Sequence, residues 1–130
     1  LTTGEEVVAT PRPRSGPIAV VTQSGAFGVA VLDYMAGEEI GLSKFVSFGN
    51  KIDVNETEML HYLMHDDRTR VILLYAESID AGRAFMEVAK EVTKYKPIVA
   101  IKAGRTEAGA RAALSHTGAI AGSDKILRRC

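Results

Sequence analysis

Ile18-Ala19-Val20-Val21-Thr22-Gln23-Ser24-Gly25-Ala26-Phe27-Gly28 runs from an apolar stretch through a polar turn into the start of a helix. The run Ile18–Val21 reads as a buried strand, Thr22–Gly28 as a tight turn and helix N-terminus, and Val29–Met35 as an amphipathic continuation of that helix. The same alternation extends outward along the chain. Helix signals near Gly25–Met35, Glu56–His65 and Ala81–Tyr95 separate the apolar runs Ile18–Val21, Phe45–Phe48, Val71–Ala76 and Ile98–Ile101. The order is β-α-β-α-β-α-β. Short apolar runs without polar alternation imply strands buried on both faces, as in a parallel sheet covered by helices. The expected class is therefore α/β, a doubly wound parallel sheet.

Local signals support these boundaries. Asn55-Glu56-Thr57-Glu58 places a cap and acidic residues in a first turn, and Asp80 is positioned to cap a helix from Ala81. Gly37 and Gly41 are expected to stop the first helix, and Pro97 to open the last full strand. Residues 1–16, with Pro11-Arg12-Pro13-Arg14, show little apolar periodicity and read as an incoming linker, so the domain is expected to occupy residues 17–130. The chain begins with Leu1 and ends at Lys125-Ile126-Leu127-Arg128-Arg129-Cys130, which reads as a piece of a longer protein cut inside a helix.

Composition narrows the function classes. With 130 residues, 46% hydrophobic and 25% charged, the chain suits one globular domain. Sixteen basic and sixteen acidic residues balance, and no basic cluster interleaves with aromatics, so a nucleic-acid partner is not expected. No apolar stretch approaches the roughly 20 residues needed to span a bilayer, so no membrane partner is expected either. One cysteine, Cys130, cannot form an internal disulfide, which fits a cytoplasmic location.

In open parallel sheets ligands bind beyond the carboxyl ends of the strands, near the point where strand order reverses. The loops at 23–28, 49–55, 77–82 and 103–123 all leave that edge. The last holds Leu114-Ser115-His116-Thr117-Gly118-Ala119-Ile120, in which no large side chain between Leu114 and Ile120 shields the imidazole of His116. The turn at Ser24-Gly25 offers unpaired N–H groups and the positive end of a helix dipole, which suit a phosphate. A phosphorylated histidine is the chemistry that joins the two. Glu77, at the end of the run Val71–Ala76, could hold one ring nitrogen, fix the tautomer and leave the other nitrogen nucleophilic.

Each feature also has an ordinary explanation. Ser24-Gly25 could be a plain helix cap, Glu77 a solvated loop acid, and His116 a loop histidine bonded to backbone. Gly49 and Asn50 are common turn residues as well as candidates for lining the substrate side, and Lys102 and Arg105 could be phosphate contacts or solvated charges. His61 and His65 lie four apart on one helix face, but without a third ligand or an adjacent glutamate no metal is expected. The turn at Thr22–Gly28 is neither a Gly-x-Gly-x-x-Gly nor a phosphate loop, and it is not a nucleophile elbow, because Thr22 stands where a glycine is required.

Taken together, Thr22-Gln23-Ser24-Gly25-Ala26-Phe27-Gly28, Ser47-Phe48-Gly49-Asn50-Lys51, Tyr75-Ala76-Glu77-Ser78 and Ser115-His116-Thr117-Gly118-Ala119 resemble the succinyl-CoA synthetase superfamily. The resemblance is strongest to the α subunit or α-like region of NDP-forming acyl-CoA synthetases, which include ADP-forming acetyl-CoA synthetase. It implies a flavodoxin-like second domain lacking its last strand here, with His116 and Glu77 as catalytic residues. Ser24, Gly25, Ala26 and Gly118 would bind phosphate, and Gly49 and Asn50 the substrate. It further implies a ligase that interconverts acyl-CoA, ADP and phosphate with carboxylic acid, CoA and ATP through a transient phosphohistidine. CoA, ADP or ATP and Mg²⁺ would be held mainly by other parts: a CoA-binding domain before Leu1 and an ATP-grasp domain in the same chain or a β subunit. The full-length protein would be a hetero- or homo-oligomer. A different function class also fits, a non-catalytic synthetase-like module regulating a fused acyltransferase.

Overall fold

The computed structural model describes residues 12–48 and 54–104. Within them the order is β1 (Ser15–Thr22), α1 (Gly25–Gly37), β2 (Leu42–Ser47), α2 (Glu56–Met64), β3 (Val71–Ala76), α3 (Gly82–Val92) and β4 (Ile98–Lys102). The four strands form one sheet in the order β2-β1-β3-β4, every pair parallel. The chain moves from β1 outward to β2, then returns past β1 to β3. Strand order therefore reverses between β1 and β3, whose registers align Thr22 with Tyr75 at their carboxyl ends.

Side-chain alternation assigns the two faces. Ala19 and Val21 of β1 join Ile72, Leu74 and Ala76 of β3 in a cluster with Leu60 and Leu63 of α2 and Phe85, Ala89 and Val92 of α3. Fully burying Leu60, Leu63 or Phe85 stabilises the fold by about 1.5–3 kcal/mol each. The opposite face receives α1. There Gly28 approaches so closely that a Cβ would lie 2.7 Å from Phe45 Cζ and 3.1 Å from Thr22 Cγ2.

Several local expectations need correction. β3 is not buried on both faces: Ile72, Leu74 and Ala76 are buried under α2 and α3, while Val71, Leu73 and Tyr75 on the α1 side are only half-buried. α1 is not amphipathic but apolar on nearly all sides. It buries Gly28 and Met35, while Val29 is 52% and Tyr34 63% exposed. The sheet requires only a narrow strip of it. β1 and β2 also begin earlier than their apolar runs, at Ser15 and Leu42, because backbone pairing continues where side-chain hydrophobicity lapses.

The helix ends show the same separation of backbone from side-chain signals. Gly37 is the last residue of α1, but the chain turns through Glu39 at φ 55° rather than through a glycine. Gly41 serves close approach instead, since a Cβ on it or on Gly16 would collide with the other's backbone beside the irregular start of β1. The start of α3 also differs. Its cap is Ala81, which provides no side-chain bond, because the helix begins one residue later than Asp80 could cap. Asn55 caps α2 as expected: its Oδ1 accepts from Thr57 and Glu58 N–H at 2.9 and 3.0 Å, and Glu58 Oε2 accepts from Asn55 N–H at 3.1 Å. At the other end of α2 the Lys96 ammonium donates to the carbonyls of Leu63 and Asp66, both at 2.7 Å, complementing the helix dipole.

Candidate phosphate turn and carboxylate at the strand crossover

β1 ends in a turn held by Thr22. Its buried hydroxyl donates to Ser24 O at 2.9 Å and accepts from Ser24 N–H at 3.0 Å, which fixes Ser24 in the extended conformation of a helix cap. Ser24 Oγ accepts from Phe27 N–H at 3.3 Å, and Ser24 O accepts from Gly28 N–H at 3.0 Å. The N–H groups of Gly25 and Ala26 have no partner among the described residues, and both residues are exposed. Two oriented donors at the positive end of a 13-residue helix therefore face outward.

Across the crossover, Glu77 follows directly on β3. It is not the solvated acid that its loop position allows: only 8% of it is exposed. Its carboxylate has no hydrogen-bond donor among the described residues. Its backbone is tied on two sides. Gln23 Oε1 accepts from the N–H of Glu77 at 2.7 Å and of Ser78 at 3.0 Å, while Gln23 Nε2 donates to Ser78 O at 2.8 Å. From β4 the Lys102 ammonium donates to Glu77 O at 2.7 Å and Ala103 O at 2.5 Å. Lys102 is thus neither a plain solvated charge nor simply a phosphate contact. It neutralises carbonyl oxygens at the ends of β3 and β4.

Tyr75 lies one pleat before Glu77. Its ring stacks on Phe27 of α1 with centroids 4.1 Å apart, joining β3 to the first turn of the helix. Burial, followed by the Glu77 carboxylate, pushes the Tyr75 phenol above its usual range.

The structure thus brings Ser24, Gly25, Ala26 and Glu77 to the carboxyl edge of the sheet, where β1 and β3 diverge and Gln23 bonds across to Glu77. His116, Gly118, Gly49 and Asn50 lie outside the described residues, as does Arg105. Gln23 is the participant that sequence reasoning passed over, although a long amide side chain at the end of a buried strand must find hydrogen-bond partners. A broad surface cleft bordered by His65, Arg70, Tyr95 and Lys96 lies at the opposite, amino edge of the sheet, away from the expected ligand side. His61 and His65 contact each other with ring centroids 5.1 Å apart, and His65 Nδ1 meets His61 O at 3.0 Å. No group of three potential metal ligands occurs among the described residues, and no helix there is long and apolar enough to cross a membrane.

A strand order of β2-β1-β3-β4 with a ligand-facing turn after β1 is the flavodoxin-like arrangement. Residues 15–130 match the family described as succinyl-CoA ligase like flavodoxin domain. The chain belongs to this family. Over 111 residues this succinyl-CoA ligase-like domain is 55% identical to the α subunit of the ADP-forming acetate–CoA ligase I of Pyrococcus furiosus, covering 85% of the chain and 24% of that subunit. It is 44% identical to the ADP-forming 4-hydroxybutyrate–CoA ligase of Nitrosopumilus maritimus, covering 88% of the chain and 17% of that protein. Among solved structures it matches acetyl-coenzyme A synthetase 1 of Ca. Korarchaeum cryptofilum in complex with phosphate and ADP. There the TM-score is 0.82 and the identity 49%, over 89% of this chain and 25% of that one. The domain spans a quarter or less of these relatives, whose names make them acid–thiol ligases.

Proposed function

We propose that this domain is the phosphohistidine carrier of an NDP-forming acyl-CoA synthetase, with His116 as the carrier. In this reading phosphate displaces CoA from acyl-CoA, giving an acyl phosphate and free CoA. A ring nitrogen of His116 attacks the phosphorus, the P–O bond to the acyl oxygen breaks, and the carboxylate leaves. ADP oxygen then takes the phosphoryl group, returning neutral histidine and ATP. One difficult transfer becomes two in-line steps.

The observation that carries the reading is the meeting at the β1–β3 crossover of the unpaired N–H donors of Gly25 and Ala26, which open α1, and buried Glu77, which follows β3. A phosphohistidine needs both. Its phosphate wants oriented donors, and its second ring nitrogen, bearing the proton, wants an acceptor to hold the tautomer. Gly118 would add a donor beside the phosphate, while Gly49 and Asn50 would border the acyl substrate. The relatives' names, which pair CoA ligation with ADP formation, support the same overall reaction.

CoA, the nucleotide and its Mg²⁺ belong, in this reading, to a CoA-binding domain and an ATP-grasp domain in the same chain or on a β subunit. The assembled enzyme is an oligomer of the cytoplasm. No described residue of this domain is assigned to Mg²⁺.

The test uses the complete enzyme incubated with labelled ATP and Mg²⁺. Wild type should acquire an acid-labile, base-stable phosphoryl group that His116→Ala abolishes, and Glu77→Gln should acquire it about 10²–10⁴-fold more slowly. Equal labelling of wild type and His116→Ala removes the carrier role. Absence of label in both favours a regulatory synthetase-like module.

A further inference from the structure

We propose that Gln23 is a positioning residue for catalysis: its side-chain amide replaces the missing end of a strand, sets the backbone that presents Glu77, and couples that carboxylate to the phosphate turn beginning at Ser24. The inference rests on the phosphohistidine reading above.

The ladder between β1 and β3 runs in register from Ile18 with Val71 to Thr22 with Tyr75. One further backbone bond, from Gln23 N–H to Tyr75 O at 3.2 Å, ends it. Beyond that point the β1 backbone turns away into the cap of α1, and the next polar groups of the β3 strand would lose their neighbour. Gln23 supplies a substitute. Its Oε1 takes the two successive N–H groups of Glu77 and Ser78, and its Nε2 satisfies the carbonyl of Ser78. A side-chain amide carries the same donor and acceptor as a peptide, so three bonds of near-ideal length continue the sheet by one residue. Gln23 itself is only 6% exposed, which leaves little room for another rotamer.

Two features make this more than structural closure. Gln23 is covalently adjacent to Ser24, so one residue fixes both sides of the crossover: the donors of Gly25 and Ala26 through the backbone, and Glu77 through the amide. The Lys102 ammonium meets the carbonyl of the same Glu77 peptide from the β4 side. With N–H and C=O of Glu77 both engaged, the rotation that would swing its carboxylate is restrained at the backbone. A catalytic group held in this way depends on its clamp, since displacement by about 1 Å can slow a reaction about 100-fold.

The experiment compares the complete enzyme with Gln23→Met, which fills nearly the same volume without the hydrogen bonds, alone and combined with Glu77→Gln. Gln23→Met should slow phosphorylation of the histidine by about 10–100-fold while KM for acyl-CoA stays unchanged. The double variant should be no slower than Glu77→Gln alone, because without its carboxylate the enzyme no longer depends on where that side chain is held. Gln23→Asn, one carbon shorter and still polar, serves if the methionine variant does not accumulate folded, with the same expectations. A rate equal to wild type, or two losses that multiply in the double variant, overturns the positioning role. Failure of the underlying reading looks different: Glu77→Gln would then phosphorylate at the wild-type rate, or His116→Ala would retain the label.

Discussion

The starts of α1 and α2 make a comparison from which a function-specific stability difference follows. Asn55 closes its helix with two short bonds to N–H groups, and the returning Glu58 carboxylate takes a third N–H. Ser24 closes α1 with a single bond of 3.3 Å, beyond the usual N–H···O range, and leaves Gly25 and Ala26 open. Replacing a cap by alanine costs about 0.5–2 kcal/mol. Two good bonds place Asn55→Ala at about 1–1.5 kcal/mol and one long bond places Ser24→Ala near about 0.5 kcal/mol. In hydrogen exchange of the complete protein, peptides covering Glu56–Met64 should therefore exchange about five- to tenfold faster in Asn55→Ala, whereas those covering Gly25–Gly37 quicken only about twofold in Ser24→Ala. Inorganic phosphate supplies the second arm. At ten times its dissociation constant, an anion bound to the open donors of α1 stabilises that start by about 1.4 kcal/mol and slows its exchange about tenfold, with α2 unaffected. Equal sensitivity of the two caps, or phosphate protection that spreads equally to α2, would refute the view that α1 is left open for an anion.

Three further outcomes follow from the packing and charges. Glu77→Gln should lower the Tyr75 phenol toward 10.0 without reaching it, since burial is the larger cause of its elevation, in an ultraviolet titration assigned by Tyr75→Phe. Because the folded phenol holds its proton more tightly than the unfolded one, stability should fall as pH rises from 10.0 through the folded value. Gly28→Val should destabilise the domain by about 1–3 kcal/mol in denaturant unfolding, because its Cβ meets Phe45 and Thr22, and shortening Phe45 to leucine should recover part of the loss. Asp66 is held below 3.8 by the Thr69 hydroxyl at 2.6 Å and by Lys44, against an opposing effect of burial. Its contribution is present above pH 3.8 and lost as pH falls through the lower folded value, so Thr69→Val should flatten acid unfolding below pH 3.8.

The order of elements was readable in the sequence because each strand carries a local apolar run and each helix a local start. Val71–Ala76 has the same limits in both readings. Ends set by backbone alone were not readable. Leu42-Ser43-Lys44 has two polar residues after one apolar one, yet pairs with β1 because the parallel ladder continues through Ala19 and Lys44. Gly41 looked like a helix stop, but its requirement is the backbone of Gly16, a contact 25 residues away in sequence. Of the site, Ser24 and Glu77 stood out because strand ends in a parallel sheet converge on one edge. Gln23 did not stand out, because its partners Glu77 and Ser78 are distant in sequence and nothing local announces them.

That gap bears on how the site arises. At the crossover the loop after β1 enters α1 on one face of the sheet, and the loop after β3 leads to α3 on the other. The divergence deprives the last peptides of β3 of their strand neighbour. A fold must satisfy those groups or lose about 1–3 kcal/mol for each one left buried and unpaired. Gln23 satisfies three of them, and in doing so ties the backbone of Glu77 to the residue that precedes the turn into α1. The need to finish the hydrogen-bonded ladder and the need to position an acid are therefore met by one side chain. Removing the amide's bonds while keeping its volume should accordingly lower stability and catalytic rate together.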